Sequence, residues 1–275
     1  MAKAPGRIPP DLRRIMGGVA GAAGWCHERR WAERNAGNIS VNISGIRLPA
    51  GSFRGGNAVP LSRRYPSLGG RILLITGTGT RMRDIAADPA ASLGLIRVAS
   101  SGNSYETCWW GKGEFSPTTE LPTHLGIHEY CVATGSSARA VLHTHPDESI
   151  ALTHCVSGLN ERRLNAILLS MLPETVMVHP RGIGWVPYRL PGTEAIAAAT
   201  VRALRRSSTL FWEKHGVLAV APDITEAFDR IETANKAAKL YLLCLGTGKT
   251  PRGLSPGQVS EIRRAYGITG GRKKK

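Results

Sequence analysis

Three histidines carry the side chains best suited to hold a metal ion. His143 and His145 stand two residues apart, and a strand projects such a pair from one face. Two imidazoles on one face can share a metal ion, although the same spacing equally fits two hydrogen-bonded histidines at a strand end. His215 precedes Gly216 at a turn-like strand end and is the third candidate ligand. Four other histidines fit surface or core polar positions: His27, His128, His154 and His179.

Two glycine-containing segments are candidate anion sites. Gly77-Thr78-Gly79 follows a short apolar segment, and its backbone N–H groups could approach an anion closely. A Gly-x-Gly alone lacks the full Walker or Rossmann pattern, so it can equally be an ordinary turn. In Asn35-Ala36-Gly37-Asn38 two amides flank a flexible glycine, which could close a loop or hold phosphate.

One carboxylate stands out beside these segments. Glu120 lies in Pro117-Thr118-Thr119-Glu120-Leu121-Pro122, just before a predicted helix. It could simply complement the helix dipole. It could also act as a general base, which requires a dry environment and a nearby cation.

Alternating strands and helices must hold these residues in place. The predicted helices cover residues 10–34, 122–134, 149–155, 192–206 (capped by Thr193) and 224–245. The predicted strands cover residues 38–43, 71–75, 93–99, 105–110, 140–142, 176–178, 183–186, 209–212 and 216–220, with a long loop at 51–70. This mixture predicts an α/β or α+β fold in which helices pack on a sheet. One domain over residues 1–270, followed by a basic tail at 271–275, is the simplest organisation.

Composition excludes several classes of protein. The five cysteines are widely spaced without a Cys-x-x-Cys pair, which favours a reducing compartment and a cytoplasmic protein. No apolar stretch is long enough to span a membrane, and residues 15–25 favour an amphipathic helix over a signal peptide. The net charge of +16 favours anionic ligands such as phosphorylated metabolites or nucleic acid. Scattered basic residues and 6% aromatic content argue against specific nucleic-acid recognition.

Taken in order along the chain, these motifs resemble the class II aldolase/adducin family. The matching segments are Asn35-x-Gly37-Asn38, Thr76-Gly77-Thr78-Gly79, Thr119-Glu120-x-x-x-His124, His143-x-His145 and Lys214-His215-Gly216. The resemblance covers roughly residues 12–268. It implies an α/β fold built as a three-layer αβα sandwich around a largely antiparallel sheet. It also implies a homotetramer with C4 symmetry and with active sites at subunit interfaces.

The resemblance further implies a role for each matching residue. His143, His145 and His215 would bind one Zn²⁺ ion per subunit, and Glu120 would be the catalytic acid/base. Glu174 falls where some members place a carboxylate that reaches a neighbouring subunit's site. The expected phosphate-binding residues are Asn35, Asn38, Gly77, Thr78, Gly79, Thr118 and Thr119.

The chain length and further motifs, among them residues 88–94 and 191–196, favour members that cleave L-rhamnulose 1-phosphate into dihydroxyacetone phosphate and L-lactaldehyde. Related alternatives are an L-fuculose-phosphate aldolase, a pentulose-phosphate 4-epimerase and a methylthioribulose-1-phosphate dehydratase. A non-catalytic, adducin-like interaction module and a nonspecific polyanion binder are alternatives of other classes. The expected partner is therefore a small sugar phosphate, with no membrane and no specific nucleic acid.

Overall fold

The elements of the chain alternate between short strands and helices. The computed structural model describes residues 8–48, 57–110 and 115–268, so the expected basic tail lies outside the described residues. The strands are β1 (Asn38–Asn42), β2 (Val59–Pro60), β3 (Ile72–Thr76), β4 (Leu93–Val98), β5 (Ser104–Trp110), β6 (Ala140–Thr144), β7 (Gly184–Val186), β8 (Thr209–Trp212) and β9 (Gly216–Ala221). The helices are α1 (Pro10–Glu28), α2 (Met82–Ala87), α3 (Pro89–Ser92), α4 (Leu121–Ala133), α5 (Asp147–Cys155), α6 (Glu161–Met171), α7 (Pro173–Val178), α8 (Glu194–Leu204), α9 (Ile224–Gly246) and α10 (Pro256–Ala265).

The nine strands of the described residues form one sheet in the order β2-β5-β4-β3-β1-β6-β9-β8-β7. Every neighbouring pair is antiparallel except β7 and β8, which are parallel. β1 lies at the centre, where Asn38 pairs with His143 of β6. The sequence-based expectation of a largely antiparallel sheet is confirmed.

Helices cover both faces of this sheet, because alternate strand residues point to opposite sides. On β1, Ile39 and Val41 belong to the large core beneath α1, α5, α6 and α9. Ser40, on the other face, contacts α4 instead. Two smaller cores pack against α4 and α8 on that second side. The three-layer αβα arrangement is therefore confirmed.

Helix α1 ends six residues earlier than the sequence pattern predicts. Its buried face follows helical spacing through Leu12, Met16 and Val19. The chain then turns at Arg30, whose φ of 60° is left-handed. The N–H of Trp31 donates to the carbonyl of Cys26, a Schellman arrangement that ends the helix.

Among the other elements predicted from the sequence, several are confirmed and one strand is wrong. The hairpin at residues 93–110 and the strands around the three histidines are confirmed. The predicted strand at residues 176–178 is wrong, because α7 begins at Pro173, whose fixed φ favours a first helical turn. Thr193 does stand at the N-cap of α8, but its hydroxyl donates to the carbonyl of Leu190 rather than capping the helix.

Candidate metal centre and active site

The three candidate ligands meet where β6 ends and β9 begins. His143 is within β6, His145 follows it, and His215 lies in the turn between β8 and β9. That turn is fixed by Lys214, which has a φ of 57° and donates its N–H to Oγ1 of Thr153 at 2.9 Å. Sheet pairing thus brings together histidines that are 72 residues apart (215 minus 143) in the sequence.

Hydrogen bonds set the tautomers of two of these histidines. Nδ1 of His143 lies 3.0 Å from the carbonyl oxygen of Val217, so this nitrogen carries the proton and donates it. Nδ1 of His145 lies 2.9 Å from Oε1 of Glu33 and donates in the same way. When both rings are neutral, both Nε2 atoms carry lone pairs, and they lie only 3.2 Å apart. Two such lone pairs repel unless a cation lies between them, so this donor set fits a metal ion.

His215 completes the group. One nitrogen of each of the three histidines lies within 4.8 Å of the others. Burial lowers the pKa of His143 well below its usual range and the pKa of His215 to about 4. Neutral imidazole is the form that binds a metal ion, so burial keeps both rings ready at pH 7.

Trp212 and Gly216 pack closely against the histidines. The ring of Trp212 lies 4.4 Å from that of His143 and 5.0 Å from that of His215 between centroids. A Cβ at Gly216 would lie 2.6 Å from the carbonyl oxygen of Thr144 and 3.0 Å from Cε1 of His143. Only glycine fits at this position, which explains the His215-Gly216 pair.

Glu120 stands beside the histidines at the N-cap position of α4. Its two carboxylate oxygens lie 3.7 Å from Nε2 of His143 and 3.7 Å from Nε2 of His215. Nδ2 of Asn38 donates to Oε2 of Glu120 at 3.0 Å. Burial raises the pKa of Glu120 to about 7, an effect that this hydrogen bond only partly opposes. The carboxyl group is therefore matched to proton transfer near neutral pH.

The expected anion-binding segments line the same pocket. Gly77 forms an isolated bridge with Pro117, and the N–H of Thr78 donates to the carbonyl of Ser116, which ties the two loops together. The cavity between them and the metal ligands has a volume of about 120 Å³. Its lining includes every expected phosphate residue: Asn35, Asn38, Gly77, Thr78, Gly79, Thr118 and Thr119.

Glu174 is the one predicted site residue that this pocket does not include. It is exposed in the first turn of α7. Its expected role concerns a neighbouring subunit, so its position within a single chain leaves that expectation open.

Sequence reasoning missed a buried polar network behind Glu120. His124 and His128, one and two turns further along α4, both contact Oγ of Ser40 at 2.7 Å. Their spacing of four and eight residues after Glu120 was the available signal, since such residues share one helix face. Sequence reasoning placed His128 among core or surface residues, and the core position is confirmed. Glu33, which holds His145, was also missed.

Comparison with known proteins decides the family. Residues 18–242 match the family described as Class II Aldolase and Adducin N-terminal domain. The chain belongs to this family. Its fold is thus that of a class II aldolase, a family of metal-dependent lyases, and it has a group of three histidines that could bind a metal ion.

Individual class II aldolases resemble the chain over most of its length. Rhamnulose-1-phosphate aldolase of Bacteroides thetaiotaomicron is 37% identical over 265 residues, covering 94% of this chain and 96% of that protein. The enzyme of the same name from Escherichia coli O127:H6 is 31% identical over 243 residues, 87% of this chain and 88% of that one. A sugar-phosphate aldolase from Thermotoga maritima superposes with a TM-score of 0.76 at 32% identity, over 88% of this chain and 100% of the other.

No helix among residues 8–48, 57–110 and 115–268 combines the length and apolar character needed to cross a bilayer.

Proposed function

We propose that the chain is a zinc-dependent, cytoplasmic class II aldolase that cleaves L-rhamnulose 1-phosphate into dihydroxyacetone phosphate and L-lactaldehyde. The observation that carries the proposal is the group of three histidines facing the buried carboxylate of Glu120, beside a pocket of glycine and threonine residues. The names of the two relatives that match almost the whole chain support this sugar phosphate.

Zinc is the proposed metal because of its ligand preference. Zinc binds imidazole nitrogen at about 2.0–2.1 Å in tetrahedral sites, which puts two ligand nitrogens about 3.3 Å apart. The separation of 3.2 Å between the Nε2 atoms of His143 and His145 agrees with that value. Three neutral ligands preserve the full charge of the ion and leave a position for substrate, as catalytic zinc sites require.

Cleavage of the carbon–carbon bond leaves an electron pair on the carbon beside the ketone. When bound, zinc supplies a positive charge that stabilises this electron pair. Glu120 transfers the proton at that carbon, a role for which a pKa near 7 is suitable. Thr78, Gly79 and Thr119 hold the phosphate group and so orient the reacting bond.

The proton on the hydroxyl of the departing aldehyde also requires an acceptor. We assign this role to Glu174 of a neighbouring subunit in a C4 homotetramer. Its exposure on α7, away from the pocket of its own chain, is compatible with a position at a subunit boundary.

The proposal is tested by supplying the purified protein with L-rhamnulose 1-phosphate and, separately, with L-fuculose 1-phosphate. We expect the former to release dihydroxyacetone phosphate and L-lactaldehyde at the higher kcat/KM. Preference for the fuculose compound would assign the chain to the other aldolase activity. Inversion at C4 of a pentulose phosphate, or loss of water from methylthioribulose 1-phosphate, would indicate the epimerase or the dehydratase.

A further inference from the structure

A continuous chain of buried hydrogen bonds begins at Glu120 and runs through α4 and β1. Nδ2 of Asn38 contacts Oε2 of Glu120 at 3.0 Å, and Oδ1 of Asn38 contacts Nε2 of His124 at 2.5 Å. Nδ1 of His124 contacts Oγ of Ser40 at 2.7 Å, and the same oxygen contacts Nε2 of His128 at 2.7 Å. All five residues are at most 6% exposed.

This chain has one consistent direction when Glu120 is a carboxylate, because a carboxylate can only accept. Asn38 must then donate to Glu120, which leaves its Oδ1 to accept from the Nε2–H of His124. With Nε2 protonated, Nδ1 of neutral His124 accepts the hydroxyl proton of Ser40. The oxygen of Ser40 in turn accepts from the Nε2–H of His128. Every donor in the chain thus points toward the carboxylate.

Neutral histidines are necessary for this direction, since a doubly protonated His124 could not accept from Ser40. Burial supplies that condition. It lowers the pKa of His124 to about 3 and the pKa of His128 to about 4. Both rings are therefore neutral at any pH at which the enzyme would work.

We infer that Ser40, His124 and His128 are positioning residues that lock the amide of Asn38 with its NH₂ group toward Glu120. The inference rests on the proposed function, in which Glu120 transfers a proton. A free asparagine amide can rotate and present its oxygen instead, which would repel the carboxylate and displace it from the reacting carbon. His124 prevents this rotation by offering a donor to Oδ1, and Ser40 keeps that donor on Nε2.

The same contacts limit how Asn38 can bind the phosphate group of the proposed substrate. One of the two amide hydrogens of Asn38 is used by Glu120, and the oxygen is used by His124. Only the remaining hydrogen can serve a substrate oxygen. Asn38 therefore links the position of the bound phosphate to the position of the acid/base.

The decisive variant is Ser40→Ala, which removes the hydroxyl without adding volume. Loss of hydrogen-bonded support behind a site residue typically costs about 10-fold or more in activity. We expect kcat to fall about 10-fold while the content of bound zinc stays unchanged. Ser149→Ala is the matched control, because Ser149 is also a buried serine, hydrogen-bonded to Asn235 and outside the chain of contacts. This control should retain the wild-type kcat.

A second pair separates positioning from simple packing. In His124→Gln, the glutamine can still donate to Asn38 and accept from Ser40, so most of the activity should return. In His124→Leu neither bond is possible, and kcat should fall at least as far as in Ser40→Ala. Equal kcat in these two variants, or a wild-type kcat in Ser40→Ala, would overturn the inference.

A spectroscopic measurement needs neither substrate nor metal. Long-range ¹H–¹⁵N NMR spectra of the metal-free protein, assigned with His124→Gln, report which ring nitrogen carries the proton. We expect the Nε2–H tautomer at His124 in the wild type and a mixture of tautomers in Ser40→Ala. An Nδ1–H tautomer in the wild type would overturn the inference. Because no sugar phosphate is involved, this result stands whether or not the proposed cleavage reaction is observed.

Discussion

Nε2 of His143 lies 3.7 Å from Oε2 of Glu120, and both side chains are buried. This separation is too long for a hydrogen bond, yet it keeps the carboxylate beside any ion that His143 holds. The carboxylate can thus serve either the metal or a substrate without leaving its place at the N-cap of α4. Substitutions at these two residues should separate metal binding from proton transfer.

Replacing His143 should abolish the metal site. In His143→Ala, only two imidazoles remain, so we expect metal affinity to fall by about 100-fold or more, beyond the loss seen for supporting residues. Elemental analysis after dialysis against a defined free zinc concentration measures this change. His27→Ala, at an exposed histidine on α1, is the control and should bind metal as the wild type does. Equal zinc contents in the two variants would contradict the assignment.

Glu120→Gln should lose activity but keep its bound metal, the converse of a variant that loses the metal site. The amide preserves the size of the side chain but cannot take up a proton, so we expect kcat to fall by about 10²–10⁴-fold with metal content unchanged. Steady-state kinetics and metal analysis on the same sample measure both quantities. Normal turnover in this variant would rule out Glu120 as the acid/base.

Glu33 should contribute to metal affinity through His145. Its Oε1 accepts from Nδ1 of His145 at 2.9 Å and so keeps the lone pair of Nε2 toward the metal. Removal of such a partner typically costs about 10–100-fold in metal affinity or activity. In Glu33→Ala we therefore expect weaker zinc binding but a near-normal kcat at saturating zinc. Unchanged affinity in a competition titration with a chelator would show that Glu33 is dispensable.

Buried histidines should make the fold sensitive to acid. Burial lowers the pKa values of His124, His128 and His179 to about 3, 4 and 3 from 6.5. Below pH 6.5 the unfolded chain therefore takes up protons that the folded chain does not, and stability falls as the pH falls. At pH 5.5 each of these histidines should cost about 1.4 kcal/mol.

Urea unfolding at pH 7.5 and 5.5 measures this loss. His179→Gln, far from the metal ligands in sequence, removes one titrating group, so its stability should fall by about 1.4 kcal/mol less than that of the wild type over the same interval. Comparing the two proteins in the same metal state removes the contribution of the metal itself. An identical pH dependence would show that His179 is protonated in the folded chain.

Much of the sheet could be predicted from the sequence, because its strands are short apolar segments that end at glycine or polar turns. The hairpin of β4 and β5 is one such case. The strand predicted at residues 176–178 failed because β-branched residues also fill a short buried helix between α6, α9 and α10. Helix α6 was missed although Asn160 caps it and Leu164, Ile167 and Leu168 form its buried stripe.

The candidate site was predictable only in part, for a physical reason. Histidines two residues apart reveal a shared strand face, but nothing in the spacing joins His215 to them. Antiparallel pairing of β6 with β9 makes that connection. The hydrogen bonds behind Glu120 depend on how α4 packs across β1, because this packing places Ser40 against His124 and His128. The pattern of residues along the chain does not reveal how a helix packs on a strand that lies about 80 residues away.

Metal-dependent cleavage is tested most directly by the rate of dihydroxyacetone phosphate release from L-rhamnulose 1-phosphate before and after removal of metal. We expect rapid release by the zinc-loaded protein, loss of release after treatment with a chelator, and recovery on adding Zn²⁺ in a ratio of one ion per chain. Release that continues undiminished in protein shown by elemental analysis to be metal-free would contradict this expectation.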